Sequence, residues 1–480
     1  MFARGRLGGL ILGLALLLGP AASAMAAEPP NGAAPVLDLP HLEAMALQYS
    51  PVVKASRSDV KFAEEQKKEA HGYRWPQFDY LATGGVVPNA KLGEIRGVPG
   101  QLYWPDPVDK LHGVNVFGHL DFSVIQPLYT FGKIAFREEA AAHNVKVKEE
   151  AVAAQQGEVV VQVAQAYYGL ILANQGKEAV KEARTYLNDT RQRVDRLLAM
   201  NSPNAKETDR YRIAAYEGAL EKSSAEAEEG SKTAYRALKA LIGYGENQDF
   251  RVPENLPTPS APAGTLDTYI QTSLELRPEF RELKEGLAAR QLLVDAAKAD
   301  RLPSFFFAVM GELAGAPGRK YNPDPYINDY FNDYGALPMV GAKWHFDFGI
   351  LKAKVGQAQA ELEKLREDQR AALMGIPIEV AKRYGEVQQY YKSSEGLEKA
   401  YVNSRRWLVT AFGNFDMGLG KMDDIFQAFE RYGVFRGDYL MTLYQYNLSV
   451  AQLDEATGAY RRKVAAAAPA LKPASVLTPK

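Results

Sequence analysis

Tyr129-Thr130-Phe131-Gly132-Lys133 occurs a second time in this chain as Phe346-Asp347-Phe348-Gly349-Ile350, with 217 positions between the glycines. Upstream, Trp75-Pro76-Gln77-Phe78 and Leu302-Pro303-Ser304-Phe305 repeat a second pattern, with 227 positions between the prolines. The offset falls because the first copy has more residues between proline and glycine, and insertions belong in loops. Two unrelated alanine-rich halves would not share prolines, glycines and aromatics in one order. We therefore expect a duplicated unit.

The first 26 residues have the pattern of a signal peptide. Arg4 and Arg6 precede an apolar run at residues 7–18, and small residues near Ala24 offer a cleavage site. The apolar run is shorter than the ~20 residues that a membrane-spanning helix needs. We therefore expect export of the chain and removal of residues 1–26.

Composition excludes several classes of protein. The mean hydropathy is −0.28, and no later stretch is apolar enough for a spanning helix, which excludes a helical membrane protein. The net charge of −1, from 57 basic and 58 acidic residues, gives no reason to expect nucleic acid as a partner. Without cysteine there is neither a disulfide framework nor a lipidated N-terminal cysteine. The exported chain is therefore either soluble or barrel-forming.

Each half contains the same order of elements: a helix, a β-hairpin, a long helix and a returning helix. Apolar residues such as Phe78 and Tyr80 alternate with polar ones in the hairpins, which predicts strands with one apolar face. Residues 133–200 lack proline and, at ~1.5 Å per residue, predict a rod of roughly 100 Å. Apolar residues at heptad spacing, among them Leu187 and Val194, predict packing of these rods against one another.

These patterns divide the mature chain into two repeats, at 36–244 and 265–463. A proline-rich linker at 245–264 joins them, and a disordered tail is expected at 464–480. Within the repeats we expect hairpins at about 77–127 and 303–348, long helices at about 133–200 and 350–416, and returning helices at about 206–243 and 421–460.

Four strands are too few for a chain that spans a bilayer alone. In lipid every backbone polar group must be paired, and an open four-stranded sheet leaves two edges unpaired. Closed outer-membrane barrels start near ~8 strands and usually have even numbers. Two, three or four copies would all satisfy closure.

The order of elements behind a signal peptide resembles the TolC-like outer-membrane efflux protein family. The most specific residues are Gln126-Pro127-Leu128-Tyr129-Thr130-Phe131-Gly132, and Met417-Gly418-Leu419-Gly420 followed by Asp424-Ile425-Phe426-Gln427-Ala428. The resemblance covers nearly the whole mature chain. It implies an α+β membrane protein that forms a homotrimer, with a shared twelve-stranded β-barrel and a twelve-helix periplasmic α-barrel.

The same resemblance implies a function. Such proteins are exit ducts in the outer membrane of Gram-negative bacteria, passive conduits from periplasm to exterior for tripartite efflux or type I secretion. They dock onto a periplasmic adaptor protein and, through it, an inner-membrane pump. An exported structural coiled-coil protein is the alternative, although it would not explain the paired hairpins. The sequence does not distinguish drugs, metal ions and polypeptides as the transported substrate.

Candidate gate residues follow the second reversal of the chain. Asp423 and Asp424 begin a returning helix, and subtracting 217 from Asp424 leads to Glu207 near the first reversal. In a trimer these acids would form rings that select cations, and the family resemblance places Gln427 at a second ring position. Carboxylates in a first helical turn also stabilise the helix N-terminus, which is an equally good explanation of Asp424.

The reversals themselves are the expected docking tips for the adaptor. The second offers Gly418, Leu419, Gly420 and Lys421, and the glycines permit a tight turn. The first departs from the family pattern, because Asn201, Ser202 and Pro203 stand where a glycine is usual. Asparagine adopts positive φ and proline stops a helix, so we still expect a turn there.

No catalytic, cofactor or metal site is expected. The six histidines show no metal-ligand spacing, and no phosphate loop or nucleophile motif is present. His119 and His345 lie on comparable polar strand faces, which favours positions facing a lumen. A tyrosine-rich loop at 315–338 would supply aromatic anchors at the barrel rim or, alternatively, an aromatic plug.

Overall fold

The computed structural model describes residues 34–89, 113–245, 247–319, 321 and 329–467. The predicted signal peptide and most of the predicted tail lie outside these ranges. None of the helices within the described part of the chain combines the length and the apolar character needed to cross a bilayer.

The chain forms two series of elements with nearly the same lengths. Helices of 11 and 22 residues, a strand of 12, a long helix of 67 and a returning helix of 36 occur in each. The first series is α1 Leu39–Tyr49, α2 Pro51–Gly72, β1 Gln77–Pro88, β2 Val114–Tyr129, α3 Lys133–Ala199 and α4 Glu207–Ile242. The second is α5 Leu266–Leu276, α6 Pro278–Ala299, β3 Ser304–Gly315, β4 Tyr334–Lys343, α7 Ile350–Asp416 and α8 Met422–Thr457, followed by α9 Tyr460–Ala467.

Two boundaries differ from the sequence-based expectation. Strand β4 ends at Lys343, before the expected limit of 348, because Asp347 accepts hydrogen bonds from the backbone N–H groups of Gly349 and Leu351, at 2.8 and 3.0 Å, and turns the chain into α7. His345 therefore lies outside the strands. The first residues of the expected disordered tail are helical, since α9 continues to Ala467.

The four strands form one antiparallel sheet in the order β1-β2-β3-β4, with β1 and β4 at its edges. Opposite residues share a face, so Tyr80 of β1 lies beside Phe122 of β2, and Phe307 of β3 lies beside Val340 of β4. This face is open: Tyr80 is 80% exposed and Val340 is 72% exposed. The described part of the chain thus leaves a largely apolar sheet face uncovered.

The repeated Phe-Gly pair turns the sheet into the long helix. Phe131 and Gly132 both have positive φ, at 52° and 87°. A Cβ atom on Gly132 would lie 2.6 Å from Cε2 of Phe136, so only glycine fits without moving that ring. This geometry explains why glycine opens the long helix.

The helices pack side by side, with α3 against α2, α4, α6 and α8, and α7 against α6 and α8. The residues predicted from heptad spacing lie in the seams: Leu187 and Val194 of α3 and Ile213 of α4 are almost fully buried. They belong to a core cluster that also contains Phe426 and Tyr432 of α8. This cluster fills the helical end farthest from the sheet.

Candidate functional site

The candidate site lies at the two connections between long and returning helices, which we call the first tip (residues 200–206) and the second tip (residues 417–421). The first joins α3 to α4 and the second joins α7 to α8. Both lie at the end of about 100 Å of helix, opposite the sheet.

The two long helices end in the same way. Asn201 has φ of 52° and Gly418 has φ of 77°. The next N–H donates to the carbonyl five residues back in each case: Ser202 to Leu197 at 2.9 Å, and Leu419 to Asn414 at 2.8 Å. This pattern caps the free carbonyls of a helix C-terminus. Asn201 therefore replaces glycine in an unchanged turn, as the sequence predicted.

The returning helices also begin alike, but in a different register. The backbone N–H of Lys206 donates to Asp209 at 2.9 Å, and that of Lys421 donates to Asp424 at 3.1 Å. The offset between the repeats is therefore 215 here, because the first tip is two residues longer. The counterpart of Asp424 is Asp209. The predicted pairing of Asp424 with Glu207 is wrong.

The four predicted gate residues do not form one cluster. Asp423 and Gln427 are in contact, since the Gln427 amide donates to Asp423 at 2.7 Å. Glu207 instead pairs with Arg210 of its own helix at 3.1 Å. Asp424 caps α8 and remains exposed. Within the described part of the chain, no hydrogen bond or ion pair links Glu207 to the other three.

Arg212 of α4 connects the two tips, and no pattern in the sequence predicts this role. Its guanidinium lies 2.7 Å from Asp423 and stacks over the Phe426 ring at 4.7 Å. The hydrogen bond from Arg212 holds the pKa of Asp423 below its ordinary value, and the same bond raises the pKa of Arg212. The carboxylate therefore stays charged and tied to the neighbouring helical hairpin.

A second ion pair joins the long helices just above the tips. Arg193 of α3 binds Asp416 of α7 through two parallel hydrogen bonds of 2.9 and 3.0 Å, and its guanidinium lies 4.9 Å from the Phe412 ring centroid. The bond to Arg193 lowers the pKa of Asp416. The partners are 223 residues apart, so no local pattern in the sequence announces the pair.

The tips expose apolar side chains beyond these ion pairs. Met200 of the first tip is 71% exposed, and Met417 and Leu419 of the second are 66% and 79% exposed. The predicted docking residues Asn201, Pro203, Gly418 and Lys421 are exposed as well, whereas Ser202 and Gly420 are partly buried. Each tip thus presents a small apolar surface with a charged surround.

A group able to hold a metal ion lies elsewhere, in the sheet. His119, Asp121 and Glu312 place one ligand atom each within 4.8 Å of one another. No spacing in the sequence indicates this group, because Glu312 reaches the other two residues only through strand pairing.

No protein-family model matches the chain, and no curated protein matches it in sequence. Solved structures do match. The outer membrane protein VceC from Vibrio cholerae is 18% identical with a TM-score of 0.70, over 88% of this chain and 96% of that one. The CmeC outer membrane channel of Campylobacter jejuni is 18% identical with a TM-score of 0.68, over 91% and 90%. The open MtrE outer membrane channel of Neisseria gonorrhoeae is 18% identical with a TM-score of 0.67, over 88% of each chain.

The chain therefore has the fold of outer-membrane channels. The predicted resemblance to the TolC-like proteins is confirmed at the level of the fold.

Proposed function

We propose that this chain is one subunit of a trimeric exit duct in the outer membrane of a Gram-negative bacterium. Three copies would join their sheets into a twelve-stranded barrel and their long helices into a twelve-helix tube that extends into the periplasm. The duct would be a passive conduit to the exterior for a tripartite efflux or type I secretion system.

One observation carries this proposal: among the residues that the structure describes, the sheet is open at both edges and on its apolar face. Tyr80 and Val340 would lose most of their exposed surface against lipid, which favours apolar side chains. The free edges of β1 and β4 would pair with neighbouring copies, because lipid offers no other hydrogen-bond partners. The fold shared with solved outer-membrane channels supports the same arrangement.

The tips would form the periplasmic mouth of the duct. Asp423, Asp424 and Glu207 would each be present in three copies, and rings of carboxylates favour cations. The Asp423–Arg212 and Arg193–Asp416 pairs join neighbouring hairpins of one chain, so they would restrain the mouth from opening. The exposed Met417 and Leu419 would meet a periplasmic adaptor protein, which connects the duct to an inner-membrane pump.

The proposal is tested by location, mass and conductance. The full chain, expressed with its signal peptide, should partition with outer membranes, require detergent for release, have the mass of a trimer in light scattering and conduct ions in planar bilayers. Release by salt alone would favour the exported structural coiled-coil protein. A detergent-solubilised assembly other than a trimer would overturn the stoichiometry.

Two variants of one strand test which sheet face meets lipid. Tyr80→Lys places a charge on the apolar face, and such a charge costs about 2–4 kcal/mol near the bilayer midplane. It should greatly reduce the yield of inserted trimer. Asp79→Lys, on the opposite face, is the matched control and should insert normally. Equal yields would contradict the proposed barrel.

The adaptor is identified by crosslinking from the second tip. A photocrosslinking residue at Lys421, which is exposed, should capture one periplasmic protein, whereas the same residue at Lys364, exposed on α7 away from the tip, should not. Identical capture at both positions would contradict docking through the tips.

A further inference from the structure

His119 is buried although the sheet around it is open. It lies on β2 between Thr83 of β1 and Ala314 of β3, and its side chain has no exposed surface. Tyr330, which lies shortly before β4, covers it, since the Tyr330 ring stacks on the imidazole with centroids 4.1 Å apart and an angle of 14°. A polar ring is thus enclosed between the sheet and a loop.

The Nδ1 atom of His119 is the donor of a hydrogen bond to the backbone. Nδ1 lies 2.7 Å from the carbonyl oxygen of Tyr330, and a carbonyl only accepts hydrogen bonds. Nδ1 therefore carries a proton and donates it. A backbone acceptor on one ring nitrogen is the usual way in which proteins orient a histidine whose other nitrogen binds a metal.

The other nitrogen faces two carboxylates. Nε2 lies 3.0 Å from Oδ1 of Asp121 and 3.8 Å from Oε2 of Glu312. Asp121 and Glu312 are direct partners across β2 and β3, a placement in which like charges repel. A neutral Nε2 would add its lone pair to this negative site. The three groups converge on one point that suits a cation, either a proton on Nε2 or a metal ion.

The spacing and chemistry of the three donors suit a metal ion. An ion with bonds of about 2.0–2.2 Å needs donor atoms roughly 3–4 Å apart. The three atoms lie within 4.8 Å of one another, and Asp121 and Glu312 are partly exposed, so small side-chain rotations reach that spacing. One imidazole with two carboxylates is a donor set for borderline divalent ions, with water in the open positions.

We propose that His119, Asp121 and Glu312 bind one divalent transition-metal ion of the Zn²⁺ class. The bound ion would link β2 to β3 and, through the His119–Tyr330 hydrogen bond, hold the loop residue Tyr330 over the sheet. This site goes beyond the proposed conduit function and requires neither adaptor nor pump.

The test measures Zn²⁺ binding to the full-length protein in detergent after treatment with a chelator. Titration calorimetry and metal analysis after dialysis should both give one ion per chain. His119→Gln, Asp121→Asn and Glu312→Gln should each weaken binding by about tenfold or more, because each removes a ligand. Co²⁺ should give a d–d absorption band that disappears in His119→Gln.

His143→Gln is the matched control. His143 lies 2.7 Å from Glu285, but Lys146 lies 3.4 Å from the same carboxylate oxygen and already supplies the positive charge. This variant should bind Zn²⁺ like the wild type. Asp121 is half-exposed, so Asp121→Asn should retain the wild-type oligomer mass and keeps the test valid if His119→Gln misfolds. Absence of Zn²⁺ binding by the wild type, or binding unchanged in Asp121→Asn, would overturn the proposal in favour of a protonated His119.

Discussion

The two tips use one turn geometry but differ in length and in the way their acids are held. Asn201 and Gly418 occupy the same position with positive φ, after helices of equal length. The first tip then runs two residues longer before its helix restarts. The two repeats therefore share a turn but differ in register after it. Residues of α4 and α8 correspond through the capping residues Asp209 and Asp424.

The ion pairs near the two tips differ more than the turns do. Glu207 near the first tip pairs with Arg210 one turn away in α4, whereas Asp423 near the second pairs with Arg212 on a different helix. Only the second arrangement connects two hairpins. The ion pairs that connect the two hairpins are thus at Asp423 and, above it, at Asp416, and these are the pairs that would restrain the proposed mouth.

Within the comparison of the two tips, the largest expected effect concerns the shared turn. Gly418→Val places a β-branched residue at φ of 77°, which should destabilise the protein by about 1–2 kcal/mol. Gly418→Asn reproduces the first tip and should cost much less. Denaturant unfolding in detergent measures both. Equal losses would show that the two turns are not equivalent.

The next effect separates an ion pair between the two hairpins from ion pairs within one hairpin. Arg212→Gln should raise single-channel conductance severalfold in planar bilayers, because it frees Asp423 from α4. Arg210→Gln breaks exposed pairs with Glu207 of α4 and Asp195 of α3, both within one hairpin, and should leave conductance close to the wild-type value. A similar response to both variants would remove the distinction between the tips.

A smaller effect is expected with pH. Arg212 lowers the pKa of Asp423, and Arg193 lowers that of Asp416, so both pairs contribute stability above the ordinary carboxyl pKa of about 3.9 and lose it as pH falls through their lowered values. Lys421 adds to the positive field at Asp423. Wild-type conductance should therefore rise only below the ordinary carboxyl range. In Asp423→Asn the conductance should already be high at neutral pH, and an unchanged acid profile in that variant would contradict this assignment.

The smallest effect isolates the charge of Asp424 from its cap. Asn retains an oxygen that accepts from the Lys421 N–H, so Asp424→Asn should leave unfolding nearly unchanged. Loss of the charge should weaken the block of channel current by multivalent cations in planar bilayers. Asp209→Asn makes the same change at the buried cap of the first tip and should leave block unaltered. If block is also unaltered in Asp424→Asn, that residue serves only as a helix cap.

Most of the fold was predictable because its signals are local. Proline and glycine mark turns wherever they occur, and heptad spacing identified buried residues such as Leu187 and Val194. The end of β4 was misplaced because Phe346 and Phe348 continue the alternation of the strand. Hydrogen bonds from Asp347 override that pattern.

The candidate sites were less predictable because their residues are distant in sequence. Asp423 was predictable from its place after the second tip, whereas the contact of Arg212 depends on how α4 lies near α8. His119 and Asp121 are close in sequence, but Glu312 joins them only through strand register.

The sequence by itself determined the order and approximate length of the elements and the ability of Asn201 to turn the chain, because each depends on residues a few positions apart. The export signal stays a prediction of the same local kind. Only the tertiary structure decided that Asp209 corresponds to Asp424, that Arg212 holds Asp423, and that His119 faces two carboxylates. These relations depend on helix and strand register, and a shift of one or two residues moves a side chain to another face. Composition and spacing do not encode such register locally.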